Sequence, residues 1–303
     1  MKRTIAFFLI GCLCLSFTGC KAWDYGKATK YYNDGQYAQA MELYESLGDY
    51  ADSAAMAHIS RQKADYEAAQ THWDAGEYRQ AMELYYGLEL YMDSPVKAIE
   101  SQYALASELL ETGEYAEAIQ LFEGLGTYEN SVALAQKGIA LWLQESLADL
   151  GGITLTLDEA GQQTLSLVST GGDTVHLIYR QEHQLLGVPN KCRFALILTP
   201  ETKEALYEAS YLSAADSTIL EESSGTVDPA VFNAGQGLST ETFSQTITDP
   251  DGVVTVSEDT TDAIVLHSML SEAQSAITEH FAAILAQTGT DITPEDLGFL
   301  SLG

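Results

Sequence analysis

The sequence predicts an all-α helical-repeat N-terminal domain followed by an α+β C-terminal domain, an antiparallel sheet with a long C-terminal helix. Three observations carry this reading. A glycine-centred unit recurs at Gly35, Gly76 and Gly113, with apolar residues spaced by three and four on each side. After Gly151-Gly152 the pattern changes to short β-branched runs separated by turn residues. A 3.6-residue period then returns over 261–287. The chain has 303 residues, room for two folded units beyond a targeting segment, and its 46% hydrophobic content suits packed cores rather than disorder.

Residues 1–19 read as an export signal. Lys2 and Arg3 precede a 14-residue uncharged run from Thr4 to Phe17. That run is shorter than the roughly 20 residues a bilayer-spanning helix needs, but it suits the core of a secretory signal. The run ends in Phe17-Thr18-Gly19-Cys20, with Leu15 just upstream, and this resembles the lipobox of bacterial lipoproteins. The resemblance implies that Cys20 is diacylated on sulfur and becomes the first residue of the mature protein, held on the extracytoplasmic face of the cell membrane. Burial of each methylene contributes about 0.8 kcal/mol, so two acyl chains would anchor it durably. Phe17 stands where that family usually has leucine. Leu9-Ile10-Gly11-Cys12 also fits the motif but leaves few apolar residues ahead of it, and an ordinary signal peptide is the remaining alternative.

Residues 20–150 form the repeat region. Before each glycine stand Tyr25/Tyr66/Tyr103, Ala28/Ala69/Ala106 and Tyr32/Trp73/Leu110. After it come Tyr37/Tyr78/Tyr115, Ala40/Ala81/Ala118, Tyr44/Tyr85/Phe122, Leu47/Leu88/Leu125 and a closing Tyr50/Tyr91/Tyr128. Each unit therefore reads as helix, glycine turn, helix, with alanines admitting close backbone approach and aromatic rings filling the gaps. The pairs Asp52-Ser53, Asp93-Ser94 and Asn130-Ser131 read as N-caps of the following helices. A final helix over Ser131 to Leu150, with Trp142 on its apolar side, is expected to cap the stack.

The small residue within the first helix, Gly-x-Tyr at the turn, and Ala followed four residues later by Tyr or Phe resemble the tetratricopeptide repeat family. The spacing departs from that family, since the glycines lie 41 and 37 residues apart against a usual repeat of about 34. Leucine also replaces a small residue at Leu47, Leu88 and Leu125. The resemblance implies a surface that takes a protein or peptide partner. Most register aromatics coincide with packing positions, so the off-register Tyr31 and Tyr86 are the candidate partner-binding residues.

Residues 151–303 form the second domain. Ile153 to Leu157, Thr164 to Ser169, Thr174 to Tyr179, Arg193 to Leu198 and Val253 to Val256 read as strands, with Ser217 to Glu222 and Glu241 to Thr248 also extended. Thr199-Pro200-Glu201 reads as the start of a helical turn. The stripe of Met269, Ala273, Ile277, Phe281, Ile284 and Leu285 predicts a helix packed across the sheet.

Lysine and arginine number 14 against 44 acids, a net charge of −30, and neither cation occurs after Lys203. Nucleic acid is excluded as a partner, because binding it requires clustered cations. The histidines lack ligand spacing and no Cys-x-x-Cys is present, so no metal or cofactor is expected. Asp249, Asp251 and Gly252 resemble the start of a calcium loop but read as a hairpin turn, and no Gly-x-Ser-x-Gly elbow occurs. Cys192, between Lys191 and Arg193, reads either as a thiol of lowered pKa or as an inert strand residue. With no catalytic constellation, the expectation is a non-enzymatic envelope lipoprotein that scaffolds a protein partner. The alternative is a lipoprotein whose C-terminal module captures a small molecule, a cation or a cell-wall fragment.

Overall fold

The computed structural model describes residues 21–169, 174–185, 188–214, 219–233, 242–248, 254–257 and 264–299. Within these residues the chain is a run of helices followed by a sheet and a long helix, the class the sequence predicts. Helix α1 occupies 21–33, followed by α2 (Tyr37–Leu47), α3 (Ser53–Asp74), α4 (Tyr78–Gly87), α5 (Ser94–Thr112), α6 (Tyr115–Leu125) and α7 (Ser131–Leu150). The chain divides into two compact units between Glu108 and Leu109. That boundary lies before the change of period at Gly151, because α6 and α7 place Ile119, Ile139, Leu143 and Leu147 in the same core as the sheet.

In the first unit the repeat is reproduced contact by contact. Tyr25 meets Tyr44 edge-on at 5.6 Å and Tyr66 meets Tyr85 at 5.6 Å. Tyr25 meets Tyr50 at 6.0 Å and Tyr66 meets Tyr91 at 6.0 Å. Tyr32 and Tyr37 lie at 5.5 Å, Trp73 and Tyr78 at 5.3 Å. All are edge-to-face pairs, the arrangement ring quadrupoles favour. The alanines Ala28, Ala40, Ala69 and Ala81 are fully buried beside them, so the helices approach at their smallest side chains.

The helix-to-helix turns share one backbone design. Gly35, Gly76 and Gly113 have φ of 78°, 76° and 88°, a region that only glycine enters without steric cost. The residue after each glycine donates its N–H back five residues: Gln36 to the Tyr31 carbonyl at 2.8 Å, Glu77 to His72 at 2.9 Å and Glu114 to Leu109 at 2.9 Å. These bonds satisfy carbonyls left open at the helix ends.

The starts of α3, α5 and α7 fall at the predicted Asp/Asn-Ser pairs, but for a different reason. Asp52 and Asn130 make no side-chain cap bond, and their φ/ψ of −101°/22° and −104°/26° are not those of a capping residue. Asp52 instead accepts the Tyr25 hydroxyl at 2.6 Å, and Asp93 accepts the Tyr66 hydroxyl at 2.6 Å. The pair thus closes the repeat onto its own first helix, 27 residues earlier. These bonds push the Tyr25 and Tyr66 hydroxyls up to about 12, through the carboxylate that each faces and then through burial. A phenol whose folded pKa exceeds its unfolded value contributes stability that is complete below pH 10 and is lost as pH rises toward 12. Tyrosinate absorbance is therefore expected to show Tyr25 and Tyr66 among its late-titrating groups, beside Tyr179, which burial also pushes up to about 12, and melting temperature to fall across that window. Asp52→Asn and Asp93→Asn should each shift one of those groups toward its ordinary value. Titration unchanged by either substitution would overturn this account.

In the second unit, strands β1 (Ile153–Thr156), β2 (Gln163–Ser169), β3 (Val175–Leu185), β4 (Val188–Thr199), β5 (Glu204–Ser213), β6 (Ile219–Thr226), β7 (Thr242–Thr248) and β8 (Val254–Ser257) form an antiparallel meander in chain order. A short helix α8 (Pro229–Asn233) follows β6, and α9 (Ile264–Ala286) is followed by a tail over 287–299. The passage from α7 to β1 needs both glycines. Gly151 has φ 65° as the left-handed end of α7, and a Cβ on Gly152 would stand 2.9 Å from Val168 Cγ1 and 3.2 Å from the Leu167 carbonyl.

One row of register partners, Leu165, Tyr179, Phe194, Ala209 and Ser223, crosses the sheet on the face that meets α9. Met269, Ala273, Ile277, Phe281, Ile284 and Leu285 of α9 are buried in the same core. Phe194 stacks on Tyr207 at 5.8 Å and on Phe232 at 6.5 Å, while Phe299 meets Phe232 at 5.9 Å and Phe281 at 5.5 Å. Aromatic rings fill the space between the sheet and α9, so the interior of this layer is packed core.

Candidate functional site

Helix α4 ends on Gly87, and the chain turns through Leu88 to Asp93 into α5. The corner is fixed from inside: Leu88 is buried, the Tyr91 N–H donates to the Leu88 carbonyl at 3.0 Å, and the Ser94 N–H donates to the Tyr91 carbonyl at 3.0 Å. Ser94 is fully buried and its hydroxyl donates to the same Tyr91 carbonyl. Tyr85 turns inward and is fully buried, which forces the adjacent Tyr86 outward. Tyr86 is 51% exposed, and its hydroxyl donates to Gln102 Oε1 of α5 at 2.5 Å, which holds the ring upright on the surface. Leu90, Met92 and Val96 are also exposed, at 89%, 69% and 55%.

Tyr31 and Tyr86 thus have different surroundings. Tyr31, on α1, is half-buried against the core of the first repeat, with Lys27 Nζ 5.6 Å from its ring centroid. Tyr86 belongs to the second repeat and presents its ring to solvent. The apolar neighbours of Tyr86 escape sequence reasoning, because Leu90, Met92 and Val96 look like core residues until the turn is built. Cys20, the expected lipidation site, lies outside the described residues, as do Asp249, Asp251 and Gly252.

A concave site lies in the second unit. A cleft of about 220 Å³ is lined by Ile119, Glu123, Trp142, Asp291 and Asp296 among others, from α6, α7 and the tail. Asp296 is held as a local cap, accepting the N–H and the hydroxyl of Thr293 at 2.7 Å each. Trp142 and Asp291 are too distant in sequence for any motif to have joined them. Among the described residues no cluster of three or more His, Cys, Asp and Glu side chains is placed to hold a metal ion. His176 is half-buried on β3, where burial lowers its pKa. His267 and His280 both belong to α9.

Cys192 is 2% exposed on the core face of β4. Strand alternation sends Lys191 and Arg193 to the opposite face, where they meet Glu182 at 3.0 Å and Glu208 at 3.7 Å. Burial, with the charges of Glu272 and Glu221, pushes the thiol up to about 12. The reading of a thiol with lowered pKa is therefore overturned. A rise from 9.0 to about 12 cuts the thiolate fraction at neutral pH roughly a thousandfold. Native protein is expected to resist iodoacetamide, with Cys192 alkylated only on unfolding; rapid stoichiometric labelling of folded protein would contradict this.

Compared with known proteins, the chain matches no family model, no curated protein and no solved structure.

Proposed function

We propose that this chain is a lipid-anchored protein of the cell envelope whose helical repeats hold a protein or peptide partner. One observation carries the reading. The core of the second repeat, built on Ala69, Ala81, Tyr85, Leu88 and Ala98, includes none of Tyr86, Leu90, Met92 and Val96, which stand exposed on its outer surface. Repeats of tetratricopeptide type commonly offer such surfaces to peptides and helices. The sequence around Cys20 supports a lipid tether, and among the described residues no helix is long and apolar enough to cross a membrane. The net charge of −30 supports a cationic rather than an anionic partner.

The test expresses the full chain in a bacterial host and maps partners by photo-crosslinking from exposed positions of α1 to α5. Repeat-dependent capture of a defined envelope protein, together with release from the membrane on Cys20→Ser, is the expected result. A wild type that yields no repeat-dependent partner, or that remains soluble, counts against it.

A second reading, ligand capture by the C-terminal unit, is supported by the cleft beside Trp142. An indole with carboxylates around it suits an organic ammonium group. A melting-temperature rise with simple amines that is lost in Trp142→Ala would favour this reading over the first.

A further inference from the structure

The three helix–corner–helix segments of the chain allow each residue of the second corner to be compared with its two counterparts. Tyr86 aligns with Glu45 and Glu123, Leu90 with Asp49 and Thr127, Met92 with Ala51 and Glu129, and Val96 with Ala55 and Ala133. Every one of these twelve positions is exposed. The fold therefore dictates the exposure, while the residue type is free. Two corners place charged, polar or small residues there, and the second alone places four large apolar ones.

Backbone geometry does not account for the choice. Ala51, Met92 and Glu129 share φ of 53°, 49° and 47°. A left-handed position has no preference for methionine. Folding does not account for it either, because the sister corners close with the same bonds: Tyr50 N–H to Leu47 at 3.3 Å and Tyr128 N–H to Leu125 at 3.2 Å. Tyr86 also answers Gln102, as Glu45 answers Arg61 at the aligned positions, but Leu90, Met92 and Val96 are apolar groups held in water, the mark of a surface that is covered when the protein acts.

The charges around it identify what covers it. Glu83, Glu89 and Asp93 are exposed on the same segment, with Asp93 sharing its carboxylate with the Tyr66 hydroxyl and Arg79 exposed one turn before Glu83. Lys97 is already committed, to Glu100 at 3.2 Å and to the face of Trp73 at 5.8 Å. An apolar centre with an acidic rim is complementary to an apolar stripe flanked by lysine or arginine. A second copy of this chain would bring the same carboxylates against these, on bodies of −30 each.

We propose that the α4–α5 corner, Tyr86, Leu90, Met92 and Val96 rimmed by Glu83, Glu89 and Asp93, is the docking surface for a basic amphipathic helix of a protein partner. The inference rests on the scaffold reading and names its surface and the chemistry of its occupant. Leucine-type side chains of the partner cover the four apolar residues, and its cations face the three carboxylates.

The test transplants the first corner onto the second in the full chain: Tyr86→Glu, Leu90→Asp, Met92→Ala and Val96→Ala. The first repeat already folds with these residues, with Glu45 facing Arg61 where the second repeat has Gln102, so circular dichroism should match wild type and melting should fall by no more than the loss of the Tyr86–Gln102 hydrogen bond. The probe is a fluorescent leucine–lysine amphipathic peptide, with a leucine–glutamate peptide of the same pattern as control. Wild type is expected to bind the leucine–lysine peptide and the transplant to lose affinity by at least about tenfold, as for loss of a central apolar contact set. The leucine–glutamate peptide should bind neither protein. Equal affinity of wild type and transplant overturns the proposal, since general acidity then explains binding. Sedimentation showing a wild-type dimer that the transplant dissolves overturns it in favour of a second copy. In the crosslinking experiment, a transplant that keeps every envelope partner overturns the corner and leaves the scaffold reading standing. A wild type without a repeat-dependent partner removes both.

Discussion

Phe194→Ala is expected to destabilise the second unit by about 3–5 kcal/mol, the usual cost of emptying a buried phenylalanine site. Phe194 has no exposed surface, sits in the central row of the sheet on β4, and stacks against both Tyr207 and Phe232. Its removal opens a cavity bounded by strands on one side and by α8 on the other, so collapse would have to move hydrogen-bonded backbone. The tight neighbours therefore place the cost at the upper end of that range. Phe194→Leu keeps most of the volume and should cost less than about 1.5 kcal/mol. Chemical denaturation read by the near-ultraviolet signal checks both substitutions. Equal midpoints for the alanine variant and wild type would mean that the layer between the sheet and α9 is not the packed core described here.

The repeats were legible because their signal is written three times. A spacing of three and four around one glycine can arise by chance, but the same residue types at the same offsets from Gly35, Gly76 and Gly113 leave little freedom in the helical assignment. The sheet was legible where side chains are β-branched, as at Ile153–Thr156 and Gln163–Ser169, and was missed at β5. In β5, Ala205, Tyr207, Ala209 and Tyr211 alternate inward, a period of two that alanine and glutamate conceal by their weak strand preference. The expected turn after Thr199 does form, with the Lys203 N–H bonded to the Thr199 carbonyl at 2.8 Å, but it ends at once in that strand. β3 and β4 run well past their apolar segments, because ladder pairing continues through Gln181–Cys192 and His183–Asn190.

The candidate site was legible only in part. Tyr86 stood out by failing the register, and the structure leaves it on the surface. Tyr31 failed the same register yet packs against the first core, since a half-buried tyrosine serves a helix flank as readily as its face. The patch beside Tyr86 was illegible because exposure at a corner depends on which way each residue of a six-residue turn points, and no period governs that. The Asp/Asn-Ser pairs show the same limit from the other side. Their position predicted where helices begin, whereas the tyrosine that claims the carboxylate is 27 residues away.

Tyr44→Ala should cost the first repeat about 3–5 kcal/mol, with Tyr44→Phe costing only about 1 kcal/mol, the net worth of one hydrogen bond. Tyr44 is fully buried, meets the edge of Tyr25 at 5.6 Å, and shares a hydrogen bond with Thr29 Oγ1 at 3.0 Å. The ring thus supports the tyrosine whose hydroxyl closes the repeat onto Asp52, and its loss frees both. The closure gives the prediction a second readout. In Tyr44→Ala, the Tyr25 hydroxyl should titrate closer to its ordinary value, while Tyr66 in the second repeat keeps its value of about 12. In Tyr44→Phe the ring contact remains and Tyr25 should still titrate late. Helical circular dichroism during urea unfolding measures the first effect and tyrosinate absorbance the second. If Tyr44→Ala lowers stability but leaves both late titrations in place, the aromatic packing and the Tyr–Asp closure are independent. The repeat is then held by two separable contacts, not by one ring supporting the other.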